Sequence, residues 1–412
     1  MGAGTDGGRG PGDVAMGTSV VAGDLLLPLM VLKETAVANN LRVMAAYARA
    51  HGFELAPHGK TTMAPGLLRR QLEAGAWGIT VANVAQASVA FGAGAARVLV
   101  ANEIVGTADA VWAVEAVGSG ERELLCLVDS VYGVGLLDAN LGRAGMPGRL
   151  DVLVEVGVRG GRTGVRNEHD LFEVVAALSA SAHLRLVGVE GYEGGIAADR
   201  SPESLAGVDR YLDGVRRAVL ALAERGAFQG GQTALVSAGG SKYFDRVAEI
   251  LGPTADYGGH PVRLIARPGC YLTHDHGLYA AVSPLESSAG SHHLMPALEL
   301  WAEVLSIPED GLAIVGLGKR DTSFDLGLPI PLHLARRSSP KVEAFTEGAL
   351  VGLDDQHGYF RLGQSPGPGA VVPGDRIGFG LSHPCTAFDK WRTVLLVDDA
   401  YKVQDRIRTC FH

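Results

Sequence analysis

The sequence has few cysteines and no long apolar run. Its four cysteines are widely spread and form no CxxC pair, and we list them as Cys126, Cys270, Cys385 and Cys410. This usage favours a reducing compartment, where cysteines are more often buried, reactive or bound to metal than bridged. No apolar stretch reaches the length that spans a bilayer. We therefore expect a cytoplasmic protein.

Basic residues are fewer than acidic residues. The chain has 36 Lys and Arg against 45 Asp and Glu, which gives a formal net charge of -9. Such a balance argues against a nucleic-acid or anionic-membrane partner. The substrate class stays open on this evidence.

The composition that remains is typical of a soluble globular protein. Hydrophobic residues make up 47% of the 412 residues and charged residues 20%, so the chain can bury a large core and form more than one domain. The opening "MGAGTDGGRGPGDVAMGTSV" is rich in glycine and lacks the apolar centre of a signal peptide. We predict a disordered tail over residues 1–22.

After this tail, short apolar runs alternate with helical stretches. Most of the runs are rich in Val, Leu and Ile and apolar on both faces, as parallel strands covered by helices are. The eight predicted strands are 53–57, 77–82, 97–102, 124–129, 151–157, 185–192, 234–240 and 262–269. "PGLLRRQLEAG" is one of the helices between them.

Eight strand-helix units predict an α/β fold, a (β/α)8 barrel over residues 34–280, with a doubly wound sheet as the alternative. Beyond residue 280 the runs are short and broken by Gly, Pro and Asp, as in "LAIVGLG" and "DRIGFGL". That pattern predicts an antiparallel β domain, which we assign to residues 23–33 and 281–412.

One lysine, Lys60 in "ELAPHGKTTMAP", follows the first predicted strand. A phosphate-binding loop GxxxxGK[ST] would need glycine where this chain has Glu54. A solvated surface lysine is the simplest interpretation. The third is a Schiff-base lysine, held at a rigid strand end in a partly dry pocket.

The loops after the last two barrel strands favour the third interpretation. "VSAGGSKY" and "RPGCY" directly follow buried strands, and late-strand loops of such barrels commonly bind phosphate. A tight turn would explain the Gly-Gly pair equally well. A lysine and a phosphate cradle at one barrel mouth are what pyridoxal phosphate requires.

A His-x-Cys pair, His383 and Cys385, lies near the end of the chain. On an extended strand both side chains would point to one face and could bind one metal ion. Thiolate with imidazole suits zinc, and a carboxylate partner would suit a harder ion such as manganese. An isolated pair of this kind is more often a coincidence.

Together, "PHGKT", "RTGV", "SAGGS", "RPGCY" and "GLSHPCTAFDKW" resemble the D-serine dehydratase and D-threonine aldolase family of fold-type III pyridoxal-phosphate enzymes. The resemblance covers residues 25–400 and implies that Lys60 carries the cofactor and acts in catalysis. It implies zinc, or manganese or another divalent metal, on His383 and Cys385. The further cofactor contacts that we expect are His58, Arg162, Tyr192, Ser237, Gly239, Gly240, Ser241, Gly269, Cys270 and Tyr271.

The resemblance also implies an activity. Cys385 places the chain with the dehydratase-like members, so we expect a homodimeric lyase that converts D-serine or a related D-β-hydroxy amino acid to a 2-keto acid and ammonia. Retro-aldol cleavage, as in D-threonine aldolase, is the alternative, and a pyridoxal-phosphate carrier without turnover is a third. His357 is a further catalytic candidate by its position.

Other polar residues carry weaker expectations. His274 and His276 share one face of a predicted strand and are more often core residues than metal ligands. Lys319 or Arg320 in "GLGKRDTSFD" could meet a substrate carboxylate. A 3-hydroxyaspartate substrate would need such an extra cation, for which Arg320 is the candidate.

Overall fold

The structure is a computed structural model, which describes residues 14–228, 231–286, 293–339, 341–363 and 371–411. The first part of the chain alternates strands and helices: β1 Leu29–Lys33, α1 Glu34–His51, β2 Glu54–Leu55, α2 Pro65–Glu73, β3 Ile79–Val81, α3 Val84–Gly92, β4 Arg97–Glu103, α4 Thr107–Val117, β5 Glu123–Val128, α5 Val131–Arg143, β6 Leu150–Val156, α6 Glu168–Ala180, β7 Leu184–Gly191, α7 Pro202–Glu224, β8 Ala234–Ala238, α8 Phe244–Leu251, β9 Val262–Ala266 and α9 Leu278–Val282. The second part is built of strands: β10 Leu298–Glu309, β11 Leu312–Val315, β12 Ile330–Ala335, β13 Val342–Ala344, β14 Ala349–Leu353, β15 Gly358–Arg361, β16 Arg376–Gly380, β17 Thr393–Val397 and β18 Val403–Arg408.

Strands β2 to β9 form one parallel sheet in the order β2-β9-β8-β7-β6-β5-β4-β3. Backbone hydrogen bonds also join its two ends, from Trp77 N to Leu55 O (2.7 Å) and from Thr80 N to Pro57 O (3.0 Å). The sheet therefore closes into the predicted barrel, and each of the eight predicted strands is present.

The strands are apolar on both faces because each face packs against a different layer. Leu99, Leu125, Leu127, Leu153 and Val187 form a separate cluster of buried side chains. Their strand neighbours, such as Cys126 and Val128, belong to the large core shared with the helices. Alternating Cβ directions along a strand produce this division between the barrel interior and the helix layer.

Helix ends follow the local sequence. Gly52 ends α1 with φ 69°, a left-handed conformation that glycine adopts without a Cβ clash. Pro65 begins α2 at the first helical position, where its missing N–H costs nothing. This ending and this beginning fix the two sides of the short strand β2 and the turn that follows it.

The second sheet has the order β13-β12-β16-β10-β1-β17-β18, and β11, β14 and β15 extend it from β10. Its pairs are antiparallel except that β1 runs parallel to β17. The strand nearest the start of the chain thus lies in the middle of the C-terminal sheet. The antiparallel β domain predicted beyond the barrel is present.

Part of the predicted tail is packed. Val14, Val20 and Val21 are buried in a cluster with Trp301 and Tyr401. These apolar side chains pack against the β domain, which the glycine-rich composition of the segment did not indicate. Residues 1–13 of the predicted tail lie outside the described residues. Across the described ranges, no helix is long and apolar enough to cross a membrane.

Candidate active site

Lys60 lies in a short 3₁₀ turn, Gly59–Thr61, directly after β2. The preceding His58 pairs with Thr80 of the neighbouring strand, which holds the turn against the barrel. Gly59 packs so closely that an added β-carbon would lie 3.2 Å from side-chain atoms of both Ile79 and Leu68. The backbone that carries Lys60 is therefore fixed from both sides.

Lys60 lines a cavity of about 560 Å³ at the carboxyl ends of the barrel strands. Most of the predicted site residues line it: His58, Lys60, Arg162, Tyr192, Gly239, Gly240, Ser241, Gly269, Cys270, His383 and Cys385. Residues more than 320 positions apart in sequence thus share one cavity. The guanidinium of Arg162 lies 4.9 Å from the ring centre of Tyr192, which sets a cation over an aromatic face.

Three predicted site residues do not line this cavity. Ser237 is buried in β8 and donates to Ile265 O at 3.3 Å. Tyr271 is buried and its hydroxyl accepts from Gln71 Nε2 at 3.1 Å. His357 is exposed in the turn between β14 and β15.

The backbone amides expected to bind phosphate already have partners within the chain. The buried carboxylate of Glu193 accepts from Gly239 N at 3.0 Å and from Gly240 N at 2.7 Å. The hydroxyl oxygen of Ser241 accepts from Gly269 N at 3.2 Å and from Cys270 N at 3.1 Å. Glu193 and Ser241 therefore shape the two loops, and the sequence did not single out Glu193.

Buried charge surrounds the cavity floor. Arg267 and Glu190 form an ion pair in which both side chains are almost wholly buried. Burial raises the pKa of Glu190 to about 7, although Arg267 opposes the shift. Burial likewise lowers the pKa of His58, with Lys60 as the next cause, so this imidazole is neutral at pH 7.

A sulfur and imidazole cluster lies at the same mouth. The sulfur atoms of Cys270 and Cys385 are 3.5 Å apart, and Thr61 Oγ1 lies 3.3 Å from Cys385 Sγ. A hydrogen bond with Cys385 raises the pKa of His383 to about 9. Contacts with Cys270 and His383 hold the pKa of Cys385 well below its usual range, which favours the thiolate form of this side chain.

The expectation that His383 and Cys385 lie on an extended strand is wrong. His383 has φ 62°, and Cys385 lies in the 3₁₀ turn Pro384–Thr386 that follows β16. Asp275 Oδ2 accepts from His383 N at 3.2 Å, which fixes this unusual backbone conformation. The turn, and not strand alternation, brings the two side chains together.

A carboxylate orients the imidazole of His383. Asp325 Oδ2 lies 2.6 Å from His383 Nδ1, and Thr386 Oγ1 donates to Asp325 Oδ1 at 3.0 Å. With Nδ1 so engaged, Nε2 is the ring nitrogen left for a metal ion. Asp325 lies in the stretch "GLGKRDTSFD", in which sequence reasoning chose Lys319 and Arg320 instead.

The other polar candidates lie elsewhere. His274 is buried with its Nδ1 2.8 Å from Asp275 O and its Nε2 3.3 Å from Glu286. Arg320 is exposed and pairs with Asp355 at 3.5 Å. Lys319 is also exposed, with its ammonium 6.0 Å from the ring centre of Phe324. His274 and His276 lie in the loop after β9 and not on a strand.

The residues present fit an aldehyde cofactor better than a fully caged metal. Lys60 offers the amine, and beside it the buried Nδ1 of His58 has no hydrogen-bond partner. A buried polar atom in that state indicates an absent partner in the cavity. Within the described part of the chain, no three His, Cys, Asp or Glu side chains are arranged to hold a metal ion. His383 and Cys385 can supply two ligands, which leaves other positions of an ion open.

Comparisons with known proteins show what the chain is similar to. Residues 297–397 match the family model described as "Putative serine dehydratase domain". The chain is 27% identical over 361 residues to a D-threonine aldolase from an Arthrobacter species, covering 84% of this chain and 83% of that one. It is 26% identical over 310 residues to a 3-hydroxy-D-aspartate aldolase from Paracoccus denitrificans, covering 74% and 75%.

A solved structure shows the same fold. The D-threonine aldolase from Filomicrobium marinum superposes with a TM-score of 0.77 at 24% identity, covering 96% of this chain and 98% of that one. The solved structure confirms the fold, and the domain match and the two aldolases confirm the resemblance drawn from the sequence motifs.

Proposed function

We propose that this relative of the D-serine dehydratase and D-threonine aldolase family is a pyridoxal-phosphate-dependent lyase of D-β-hydroxy amino acids. One observation carries the proposal: Lys60 at a barrel strand end shares its cavity with the His383 and Cys385 pair. An amine and a soft metal site at one mouth suit a substrate that bears both an amino group and a β-hydroxyl group.

Lys60 has two tasks in this proposal. Its Nζ would hold the cofactor, and the free amine of the same lysine would take the proton from the substrate Cα. Pyridoxal phosphate supplies an electron-withdrawing ring that weakens the bonds to Cα. Burial lowers the pKa of His58, so this imidazole adds no positive charge beside Lys60 at neutral pH.

The cofactor contacts follow from the cavity lining. Arg162 and Tyr192 would border the ring, because their stacked pair faces the cavity between the loops after β6 and β7. Ser241 and Lys242 would meet the phosphate. Lys242 Nζ now donates to Ala197 O at 3.1 Å, and burial lowers its pKa. His357 remains a catalytic candidate, although it does not line this cavity within the single chain.

His383 and Cys385 would hold one divalent ion, with zinc the best match to a thiolate and an imidazole. Such an ion would supply Lewis acidity at the β-hydroxyl of the substrate. The carboxylate of Asp325 orients the imidazole through Nδ1 and would make Nε2 a stronger ligand for the metal ion. Manganese would be the alternative if a carboxylate joined the set.

Dehydration to a 2-keto acid and ammonia is the reaction we propose first. The thiolate ligand and the match to a serine dehydratase domain favour it. Retro-aldol cleavage to glycine and an aldehyde is the second candidate, because two relatives are named aldolases. The two reactions differ in which bond at the substrate lies perpendicular to the ring, and both use the same residues.

The test combines a spectrum with product analysis. Protein purified with pyridoxal phosphate should absorb in the Schiff-base band, and D-serine should yield pyruvate and ammonia, or D-threonine glycine and acetaldehyde. Chelation should slow the reaction, and zinc should restore it. Lys60→Ala should lose the band and the turnover, whereas Lys341→Ala, an exposed lysine on the β domain, should keep both.

Two results would count against the proposal. If the protein lacks the Schiff-base band, or if turnover survives Lys60→Ala, then Lys60 does not carry the cofactor. We also propose a homodimer, as the family resemblance implies, and a cytoplasmic location, as the cysteine usage favours. Sedimentation of the purified protein measures the oligomeric state.

A further inference from the structure

The residues around His383 and Cys385 bear on which substituent a substrate can carry on its β-carbon. We infer that it accepts neutral substituents, such as hydrogen, methyl or aryl, and discriminates against a β-carboxylate, that is, against 3-hydroxyaspartate. This inference rests on the proposed function, because the His383 and Cys385 pair marks where the β-hydroxyl lies. The substituent on the same carbon must lie beside that pair.

An apolar wall stands next to His383. Leu278 N, at the beginning of α9, donates to Ser382 Oγ at 3.1 Å, and Ser382 is the residue before His383. The approach is tight, because a β-carbon on Gly277 would lie 2.6 Å from Ser382 Cβ. Leu278 and Val282 are four residues apart, so they share one face of the helix, and both line the cavity.

Two carboxylates flank the same histidine. Asp275 Oδ2 accepts from His383 N at 3.2 Å, while its Oδ1 accepts from Tyr279 N at 2.9 Å. Asp325 lies on the other side at 2.6 Å from His383 Nδ1. A carboxylate on the substrate β-carbon would lie near the carboxylate of Asp275, which lines the cavity, and against an apolar wall, and like-charge contacts disfavour binding at a recognition site.

The arginine and lysine side chains among the described cavity residues are engaged elsewhere. Arg267 is paired with Glu190 and donates to Gly191 O at 3.0 Å. Arg162 lies over the ring of Tyr192, on the loop after β6.

Two lysines complete this set. Lys242 donates to a carbonyl in the loop after β7, and Lys60 carries the cofactor in the proposed function. Arg320, which the sequence offered as the extra cation for 3-hydroxyaspartate, is exposed on the β domain and does not line the cavity. The wall beside His383 therefore has no arginine or lysine partner for a β-carboxylate among these residues.

The experiment compares kcat/KM for four substrates with the zinc-loaded and pyridoxal-phosphate-loaded protein: D-serine, D-threonine, D-phenylserine and 3-hydroxy-D-aspartate in both diastereomers. Loss of substrate is followed by chiral amino acid analysis, which counts C–O and C–N or C–C cleavage alike. We expect the best neutral substrate to exceed 3-hydroxyaspartate by about 100-fold, from the cost of juxtaposed like charges.

The outcomes separate the two proposals. Turnover of 3-hydroxyaspartate at a rate equal to or above that of the neutral substrates would overturn the inference and leave the proposed function standing. Turnover of none of the four would overturn the proposed function, and the inference would fail with it.

A matched pair of variants tests the wall itself. Leu278→Arg places a cation at the wall and should shift the kcat/KM ratio toward 3-hydroxyaspartate by about 10-fold. Leu278→Met, neutral and of similar size, should leave the ratio unchanged. An unchanged ratio in the folded arginine variant would contradict the inference.

A binding measurement on the unmodified protein covers the case in which Leu278→Arg does not fold. D-2-aminobutyrate and D-aspartate carry a methyl group and a carboxylate on Cβ and lack the hydroxyl group. Spectral titration should give tighter binding of D-2-aminobutyrate. Tighter binding of D-aspartate would overturn the inference.

Discussion

The carboxylate of Glu193 accepts a hydrogen bond of 2.7 Å from the backbone N–H of Gly240 and one of 3.0 Å from that of Gly239. It thereby ties the loop after β7 to the loop after β8. Both amides are ones that a phosphate group could use, and a carboxylate is the protein group most similar to a phosphate in charge and acceptor geometry. Glu193 thus shapes, from within the chain, the turn that we expected to bind phosphate.

Glu193→Gln should lower the stability of the protein. The amide side chain offers one acceptor oxygen, so one of the two buried N–H groups loses its partner at a cost of about 1–3 kcal/mol. Urea unfolding without cofactor measures the change, with Glu173→Gln, an exposed residue on α6, as the control. Equal stability of both variants would show that the two hydrogen bonds contribute nothing net.

Lys242→Met should weaken the binding of pyridoxal phosphate and leave the binding of pyridoxal unchanged. Because Glu193 already holds two amides, a nearby cation becomes the main source of charge for a phosphate, and Lys242 lines the cavity beside Ser241. We expect a loss of about 10-fold in affinity, the value of one charge-assisted contact. Lys242→Arg keeps the charge and should keep most of the affinity; equal loss for both ligands would contradict the role.

Diamide should oxidise Cys270 and Cys385 to a disulfide in the metal-free protein. Their sulfur atoms are 3.5 Å apart, and rotation of the side chains can bring them to the roughly 2.05 Å of a bond. Each thiol loses one hydrogen as the S–S bond forms, and diamide takes up both hydrogens and is reduced to the hydrazine. Intact mass and the linked peptides identify the product, and Cys270→Ser should abolish it.

Two controls accompany this oxidation. Cys126 is buried and should stay reduced, whereas exposed Cys410 should react with any thiol reagent. Zinc should protect Cys385 if it binds there. Diamide treatment that leaves both thiols free without metal would show that the side chains cannot approach.

Stability should fall as the pH is lowered through the range set by His276. Burial lowers its pKa to about 4, with Glu299 opposing and His274 and His333 adding to the shift. The unfolded chain takes up this proton near pH 6.5 and the folded chain only near pH 4, so the folded state loses stability between these values as pH falls. The difference is on the order of 3 kcal/mol.

Urea unfolding at several pH values between 4 and 7.5 measures this dependence. His276→Asn removes the titrating ring and should flatten the curve over the same window. The ring fills a tight space, because a β-carbon on Gly380 would lie 2.5 Å from its Cγ. The comparison therefore concerns the slope with pH and not the absolute stability. Parallel curves for the two proteins would exclude His276 as the cause.

The barrel could be predicted from the sequence because its signals are local. Each strand is a short apolar run, and Gly52 and Pro65 mark a helix end and a helix beginning. Lys60 could be placed at the mouth for the same reason, since it follows a strand end. Predictions that needed only one segment at a time held at these positions.

The rest depended on contacts between distant segments. The positive φ of His383 is imposed by Asp275, more than one hundred residues earlier in the chain, so the pattern His-x-Cys could not reveal a turn. Glu193 next to Tyr192 looks like any polar loop residue until the amides of Gly239 and Gly240 are seen beside it. His357 was placed by its position in the sequence, and only the packed hairpin β14–β15 shows that it lies outside this cavity.

The central place of β1 in the second sheet sets an order of assembly. As the chain leaves the ribosome, β1 emerges before every barrel strand, but its two partners, β10 and β17, are made only after the barrel. Most barrel strands pair with near neighbours in sequence and can do so as they are made, whereas β2 must wait for β9, the last barrel strand. The segment with His383 and Cys385 lies between β16 and β17, so the proposed catalytic centre becomes complete only after all the barrel strands have been made.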